Sequence, residues 1–177
     1  MAEREAAVIN RIASGDEKAF EELYNANARK VFAYLRARNI DRETAADVLQ
    51  ETFTAAWRDA GKYRGGAKPL TWLIAIARHK LADEMRARQR ARASPPEESS
   101  GSHDPAAEAG ERLSVRQAVQ ELSDGHRELL HLVFVLGMSY AEAAEVLQVP
   151  EGTVKSRMFS LKRQLTGRLA GRRRYEL

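Results

Sequence analysis

The 177-residue sequence contains no cysteine, five prolines and only 7% aromatic residues. The lack of cysteine excludes disulfide bonds and thiolate metal sites, and it is consistent with a reducing cytosolic environment. Long apolar runs are also missing, because the most apolar stretch, residues 129–138, is interrupted by His131 and is too short to cross a membrane. No secretory signal is recognisable, so the sequence predicts a globular protein without membrane insertion.

The charged residues are distributed unevenly along the chain. A total of 29 basic and 25 acidic residues gives a net charge of +4, and the pI near 9.5 points to a polyanionic partner. Residues 1–93 carry a net charge of +5, residues 94–112 carry −4 and residues 113–177 carry +3. The sequence therefore predicts two basic blocks that are separated by an acidic spacer.

A short helix, a turn and a second helix are predicted between residues 139 and 165. Ser139 is followed three residues later by Glu142, which is the pattern of a capping box that begins the first helix. Residues 148–152 form the turn, where Pro150 suits the opening of the next helix because its missing N–H would be unpaired there. This arrangement predicts a helix-turn-helix, a motif that places its second helix in the major groove of DNA.

The second helix of this motif has two chemically different faces. An apolar seam is formed at steps of three and four residues by Val154, Met158, Leu161 and Leu165. The opposite face carries cations, hydroxyls and one ring, on Lys155, Ser156, Phe159, Ser160 and Arg163. Such side chains can bond to phosphates and base edges or contact a thymine methyl group. The alternative is an ordinary amphipathic helix of a bundle, in which Phe159 would be a core residue.

Four helices are predicted in the first half, at about residues 5–14, 16–38, 42–59 and 69–90, with Asp41 as the N-cap of the third. The predicted inward residues of the third helix are Ala46, Leu49, Phe53, Ala56 and Trp57. Its predicted outward residues are Asp47, Gln50, Glu51, Thr54 and Arg58. This outward face is polar and partly acidic on a basic protein, and a merely solvated face is the alternative interpretation.

Residues 61–68 form a predicted loop with three glycines, three cations and one tyrosine. Glycine permits close backbone approach, cations meet phosphate and Tyr63 could stack on a base, so the composition is typical of a nucleic-acid-binding loop. A plain surface loop is the alternative, and the glycine spacing of a nucleotide-hydrolase phosphate loop is missing. The predicted buried stripe of the following helix is Leu70, Leu73, Ile74, Ala77, Leu81 and Met85. Its far half carries the cations Arg78, Lys80, Arg86, Arg88, Arg90 and Arg92.

Residues 94–112 have no apolar periodicity and contain Pro95-Pro96 and Asp104-Pro105, which predicts a flexible acidic linker. Helical periodicity returns at Leu113, and another helix is predicted from about Gly125 to Leu136. The predicted fold is all-α, with two small helical domains at residues 1–93 and 113–177 that the linker joins.

Several longer stretches of the first half match a known family pattern: Ala19-Phe20-Glu21-Glu22-Leu23-Tyr24, Ala46-Asp47-Val48-Leu49-Gln50-Glu51-Thr52-Phe53, Ala56-Trp57, Tyr63-Arg64-Gly65-Gly66, Thr71-Trp72-Leu73 and Ile76-Ala77-Arg78. The matching stretches of the second half are Met138-Ser139-Tyr140-Ala141-Glu142-Ala143-Ala144 and Pro150-Glu151-Gly152-Thr153-Val154-Lys155-Ser156-Arg157. With them the chain resembles an extracytoplasmic-function (ECF) sigma factor, a small two-domain promoter-recognition subunit of bacterial RNA polymerase. Two departures are Ser123-Asp124-Gly125-His126 in place of the family's Leu-Pro helix entry, and Ser160 where a basic residue is common.

The resemblance implies a four-helix sigma region 2 domain followed by a region 4 helix-turn-helix domain. It implies that the coiled coil of the polymerase's largest subunit docks on Asp47, Gln50, Glu51 and Thr54. It implies that unpaired DNA of the −10 element is held by Lys62, Tyr63, Arg64, Gly65, Gly66, Lys68, Arg78 and Lys80. Duplex DNA of the −35 element would be recognised by Thr153, Lys155, Ser156, Arg157, Phe159, Ser160 and Arg163.

The resemblance further implies a cytoplasmic, non-catalytic protein that is monomeric when free and needs no cofactor. An anti-sigma factor would hold it silent and could retain it near the membrane. Two alternatives stay open at this point. A free-standing helix-turn-helix regulator would bind duplex DNA alone, but it would leave the acidic face and the glycine-rich loop unexplained. A carboxylate-bridged metal enzyme would use the Glu-x-x-His spacing of Glu128 and His131, but a second copy of this spacing is missing from the sequence.

Overall fold

The computed structural model of the chain describes residues 2–92 and 117–173. The helices of the first range are α1 (Ala2–Ala13), α2 (Glu17–Arg36), α3 (Arg42–Asp59), a 3₁₀ turn (Ala60–Lys62) and α4 (Pro69–Arg92). The second range is helical at residues 117–120 and then forms α5 (Asp124–Leu130), a π-helical turn (His131–Val135), α6 (Tyr140–Leu147) and α7 (Glu151–Arg173). All regular elements of these two ranges are helical, and the predicted all-α class is confirmed.

Two compact units divide the chain. The first contains α1 to α4, and the second contains α5, α7 and most of α6. The fold of two small helical domains is therefore confirmed. The predicted linker, residues 94–112, lies outside the described residues, and the exact domain limits at residues 93 and 113 stay predictions.

Helix starts in the first unit follow the caps that the sequence contains. The Asp16 carboxylate accepts a hydrogen bond from the Ala19 N–H at 3.0 Å and begins α2, directly after Gly15 at φ +86°. Asp41 begins α3 in the same way, as predicted, because its carboxylate accepts from the Thr44 N–H at 2.8 Å and from the Thr44 hydroxyl at 2.6 Å. Each cap satisfies a backbone donor that the first helical turn leaves unpaired.

The core of the first unit forms where α2, α3 and α4 pack against one another and α1 packs on α2. Its fully buried side chains include Ile9, Val31, Tyr34, Leu35, Val48, Leu73, Ile74 and Ala77. An aromatic cluster joins α2 to α3: the Phe20 ring lies 6.2 Å from the Phe53 ring and 5.2 Å from the Trp57 ring, both edge-on. Edge-on contacts of this kind are favourable for aromatic rings.

The predicted inward face of α3 is partly wrong. Ala46 is exposed, Leu49 is half-buried and Trp57 remains 37% exposed at the margin of the aromatic cluster. The residues that are buried instead, besides Phe53 and Ala56, are Thr44, Ala45, Val48, Thr52 and Ala55. Most of these side chains are small, and α3 packs against both α2 and α4. The buried Thr52 hydroxyl is satisfied by donating to the Val48 carbonyl at 2.7 Å.

The predicted stripe of α4 is correct from Leu73 to Leu81 but wrong at Met85, which is 47% exposed. From residue 82 to residue 91 no α4 side chain is buried, so the helix extends beyond the core of its unit. Apolar residues can continue at helical spacing beyond the part of a helix that has a packing partner, and the sequence alone does not distinguish them from buried ones.

Two ion pairs connect α4 with α3 and its N-cap. The Lys80 Nζ lies 3.4 Å from a Glu51 carboxylate oxygen, and the Arg88 guanidinium lies 3.3 Å from the Asp41 carboxylate and also contacts the Thr44 hydroxyl. Residue numbers rise along α3 from one pair to the next while they fall along α4, so the two helices run antiparallel.

Asp41 gives the first unit a pH-dependent contribution to stability. Hydrogen bonds from the Thr44 hydroxyl and N–H, together with Arg88, lower the pKa of Asp41 from its ordinary 3.8 to about 2. Because the folded-state pKa is the lower one, the stabilisation is present above about pH 4 and is lost as the pH falls towards about 2. We expect Asp41→Asn, which keeps a capping side chain, to lower the Tm near neutral pH and to converge with the wild type at low pH.

Circular dichroism melts of both proteins between about pH 2 and pH 7 measure this convergence. Thr44→Val removes the hydroxyl donor and should move the loss of stability towards higher pH. A Tm difference between wild type and Asp41→Asn that stays constant across the whole range would contradict the assignment.

Side-chain caps begin the helices α5 and α6 of the second unit, and α5 ends earlier than the predicted Leu136, at Leu130. Ser123 caps α5 by accepting from the His126 N–H at 3.4 Å, and the helix ends in a π-helical turn and Gly137 at φ +68°. The capping box of α6 is complete: the Glu142 N–H donates to the Ser139 hydroxyl at 3.2 Å, and the Ser139 N–H donates to the Glu142 carboxylate at 2.8 Å. The turn closes with Gln148 at φ +55°, and α7 begins at Glu151, directly after Pro150.

Replacing Ser139 with alanine is expected to destabilise the protein by about 1 kcal/mol, because one half of the capping box is lost. In a unit of this size, the Tm at which the second unit unfolds should fall by about 4–8 °C. Glu142→Gln is the matched control, since glutamine also closes a capping box. An unchanged Tm for Ser139→Ala would show that the motif does not depend on this cap.

Candidate functional site

The predicted docking residues of α3 lie on one concave surface. Asp47, Gln50, Glu51 and Thr54 are all exposed, and they line a groove of about 620 Å³ between α3 and α4. The remaining residues that line the groove are Val48, Ala55, Arg58, Lys80 and Glu84. The structure thus brings all four predicted residues together, and it adds α4 side chains that the sequence analysis did not assign to this face.

Charges of both signs line this groove. Glu51 pairs with Lys80 across it, and Glu84 accepts from Arg88 at 2.6 Å on α4 itself. At the end of α3 the Asp59 carboxylate contacts Arg58 at 2.9 Å and Lys62 at 2.6 Å. These two cations lower the pKa of Asp59 to about 2. The groove is therefore suited to a partner surface that also carries both signs of charge.

The glycine-rich loop between α3 and α4 is braced from within by its own tyrosine. Tyr63 is half-buried, its hydroxyl donates to the Ala67 carbonyl, and its ring lies 5.3 Å from the Trp72 ring. The other predicted loop residues, Lys62, Arg64, Gly65, Gly66 and Lys68, are exposed, and Gly65 has φ +74°. The loop therefore presents three cations around an aromatic pair.

Trp72 is the residue of this site that the predicted set lacks. It is half-buried at the start of α4 and completes the aromatic pair with Tyr63. The sequence could have indicated this residue, because Trp72 lies in the first turn of α4, four residues after the loop cation Lys68. A half-exposed indole beside exposed cations is a surface on which an unpaired base can stack.

The two predicted DNA contacts on α4 do not share a face. Arg78 and Lys80 are two residues apart and project in directions about 200° apart around the helix. Both side chains are half-buried, but Lys80 lines the groove beside α3 and pairs with Glu51. The structure therefore associates Lys80 with the groove.

The two faces of α7 differ in burial as the sequence predicts. Val154, Met158 and Leu161 are buried, with Leu165 half-buried. Phe159 on the opposite side is 70% exposed, so it is not a core residue of an ordinary bundle. The predicted contact residues that are also exposed are Lys155, Ser156, Arg157 and Arg163, while Thr153 and Ser160 are half-buried.

Local bonds orient two of these side chains. Lys155 lies 2.8 Å from the carboxylate of Glu151, one turn earlier, and this bond raises the pKa of the lysine. The Ser156 hydroxyl donates to the Thr153 carbonyl at 3.0 Å. Both contacts hold polar groups near the N-terminal end of α7, the end that a recognition helix directs at base edges.

Neither a metal site nor a membrane helix is present in the described ranges. Glu128 is buried on α5, but no group of three or more histidine and acidic side chains is placed there to bind a metal ion. No helix of residues 2–92 or 117–173 has the length and apolar character that spanning a membrane requires.

Comparison with known families matches each half of the chain separately. Residues 23–91 match the family model of sigma-70 region 2, and residues 112–165 match that of sigma-70 region 4. Sigma-70 proteins are non-catalytic specificity subunits of bacterial RNA polymerase, and both halves of the chain match this class.

Full-length relatives narrow the class. The RNA polymerase sigma-H factor of Pseudomonas aeruginosa is 31% identical over 175 residues, which cover 89% of each chain. The ECF RNA polymerase sigma-E factor of Haemophilus influenzae is 30% identical over 186 residues, which cover 92% of this chain and 94% of the relative. The chain therefore belongs to the ECF sigma factor family.

Solved structures agree with this assignment. CnrH, in its complex with the cytosolic domain of CnrY, matches with a TM-score of 0.69 at 26% identity, over 94% of this chain and 97% of CnrH. The sigma factor RpoE of Bartonella quintana, in its complex with the anti-sigma factor NepR, matches with a TM-score of 0.68 at 25% identity, over 86% of this chain and 98% of RpoE.

Proposed function

We propose that this chain directs core RNA polymerase to promoters by using three surfaces, one on each of α3 and α7 and one on the loop before α4. The observation that carries the proposal is that most of the predicted contact residues on each surface are exposed, in a chain that belongs to the ECF family. A sigma factor acts in transcription initiation. The two DNA-binding surfaces of this chain would determine which promoter sequences the polymerase recognises.

The docking surface is the α3 side of the groove. Asp47 and Glu51 stand one turn apart on α3 and are exposed, so their carboxylates are available to cations of the coiled coil in the polymerase's largest subunit. Gln50 and Thr54 add polar groups between and beyond them. Its acidic residues distinguish this polymerase-binding surface from the two DNA-binding surfaces, which carry cations.

The −10 surface is the loop of residues 61–68 with the first turn of α4. Its cations meet the backbone of the non-template strand, and the aromatic pair of Tyr63 and Trp72 offers a ring face to an unpaired base. Because the Tyr63 hydroxyl donates to the Ala67 carbonyl within the loop, the tyrosine braces the loop. Its ring and that of Trp72 are both partly exposed.

The −35 surface is the outward face of α7. Lys155 and Arg163 can bond to phosphate or guanine, Ser156 and Ser160 to either kind of edge, and Phe159 can contact a thymine methyl group. The acidic residue Glu151 beside Lys155 disfavours indiscriminate phosphate binding at this position.

Energetics require polymerase as a partner. Opening roughly ten base-pair steps at about 1.4 kcal/mol each costs on the order of 14 kcal/mol. Stacking one base on an aromatic side chain returns only about 1–3 kcal/mol. This chain therefore selects the site, while polymerase supplies the remaining free energy of melting. The structural neighbour RpoE, in its complex with the anti-sigma factor NepR, supports a similar partner here, which would keep the chain inactive in the cytoplasm.

A gel-shift series with promoter DNA tests the proposal against a free-standing regulator. The full chain alone, core polymerase alone and the two together are each titrated against duplex DNA that contains −35 and −10 elements. We expect sequence-specific binding only from the combination. Tight sequence-specific binding by the chain alone would favour the regulator.

A further inference from the structure

We infer that the polymerase-docking surface continues across the groove onto α4, and that Lys80 is one of its contact residues rather than a contact of the −10 strand. This inference rests on the proposed docking function of α3. It assigns Lys80 to the polymerase interface, although its charge and its position on α4 led to the sequence-based prediction that it contacts DNA.

The first argument is the position of Lys80 along α4. Eleven residues separate it from Pro69, where the −10 loop joins the helix, and at 1.5 Å per residue this is about 16 Å. The second argument is its direction, since Lys80 lines the groove together with Glu84, one turn further along the same helix. A side chain in this place points along the docking face.

The third argument is its partner. Lys80 Nζ lies 3.4 Å from Glu51, one of the predicted docking residues, and the lysine is the less exposed of the two, at 30% against 60% of their side chains. By the antiparallel register of α3 and α4, Glu84 stands near Asp47 on the two walls. The groove thus combines the carboxylates of Asp47, Glu51 and Glu84 with the cations Lys80 and Arg58.

The pair also indicates the chemistry of the partner. An exposed ion pair contributes little net stability, so it can be exchanged for contacts with another protein. A docking helix that presents a cation to Glu51 and a carboxylate to Lys80 replaces one intramolecular pair with two intermolecular ones. The coiled coil should therefore place an acidic and a basic side chain about one turn apart over this part of the groove.

The test compares Lys80→Met with Lys68→Met in the full-length protein, because both variants lose one lysine charge and keep an unbranched stem. Affinity for purified core polymerase is measured first. Affinity of the assembled holoenzyme for a fluorescent −10 single strand is then measured at saturating polymerase and several salt concentrations. We expect Lys80→Met to weaken core binding roughly threefold to tenfold and to leave strand affinity and its salt dependence unchanged.

Lys68→Met should do the reverse, with a strand-binding salt slope reduced by about 1 and normal core affinity. Lys80→Arg should restore core binding. Unchanged or higher core affinity of Lys80→Met overturns the inference, and so does a loss of strand affinity in that variant. Asp47→Lys separates the two levels: if it also leaves core affinity unchanged, the docking function of α3 fails, whereas if it weakens core binding and Lys80→Met does not, only the extension onto α4 fails.

Discussion

Reversing the charge of both Asp47 and Glu51 to lysine is expected to weaken binding to core polymerase by at least about a hundredfold and to abolish transcription. Like charges brought together in an interface cost several kcal/mol, and each 1.4 kcal/mol is tenfold in affinity. Both side chains are exposed, so neither substitution disturbs the core of the first unit. Loss of the Glu51 pair with Lys80 costs at most about 1 kcal/mol of stability, because the pair is on the surface.

Core affinity is measured by fluorescence anisotropy of the labelled chain, and the fold is checked by a thermal melt. The matched control is Glu21→Lys with Glu43→Lys, which changes net charge equally at exposed acids outside the groove. The control should bind core normally. If both double variants lose the same affinity, the effect comes from total charge and the assignment of the groove is wrong.

Replacing Phe159 with alanine is expected to weaken transcription from promoters with an intact −35 element while sparing the preference for the −10 element. Each lost base contact should cost about 1–3 kcal/mol. The ring is 70% exposed, so its removal should leave the Tm unchanged. Lys155→Ala should act on the same element, with a smaller salt slope because a cation is removed.

Transcription from a library in which the −35 and −10 elements are varied separately gives both preferences in one measurement. Phe159→Leu is the conservative control, since leucine keeps apolar contact with a thymine methyl group and should retain most of the preference. Met158→Ala is the structural contrast: Met158 is buried, and its loss should lower stability by about 2–5 kcal/mol and reduce both preferences together. A similar joint loss in Phe159→Ala would contradict its role in recognition.

The parts of the structure that local sequence determines were predictable. Both halves of the capping box at Ser139 and Glu142 bond as expected, because the motif needs only residues three positions apart. The buried seam of α7 also follows from its apolar period, which separates Val154 and Met158 from the exposed Phe159. In these segments the local pattern and the tertiary packing favour the same face.

The inward face of α3 was not predictable in the same way. The helix packs against α2 and α4, and small residues such as Ala45 and Ala55 are buried while Leu49 is half-buried and Trp57 is exposed. Apolar periodicity weights large side chains and misses positions that are buried because they are small. The exposed charges of α3 marked its outer face more reliably than its hydrophobic residues marked the inner one.

Contacts between helices lie beyond any local pattern. The pairing of Lys80 with Glu51 and of Arg88 with Asp41 depends on the register of α4 against α3, which separates the partners by 29 and 47 residues. A cation that the sequence associates with DNA through its neighbours on α4 is therefore associated with the docking groove by the fold. The contact of the Tyr63 ring with the Trp72 ring also depends on the fold, because it joins the loop to the first turn of α4.

Run-off transcription with purified bacterial core polymerase and the full-length chain tests the central claim most directly. On a template library, core polymerase alone should give no specific start, and adding the chain should produce starts downstream of one shared pair of −35 and −10 sequences. The Asp47 and Glu51 double variant should give none. If the chain neither bound core polymerase nor changed where transcription starts, the account of this protein as a promoter-specificity subunit would be contradicted.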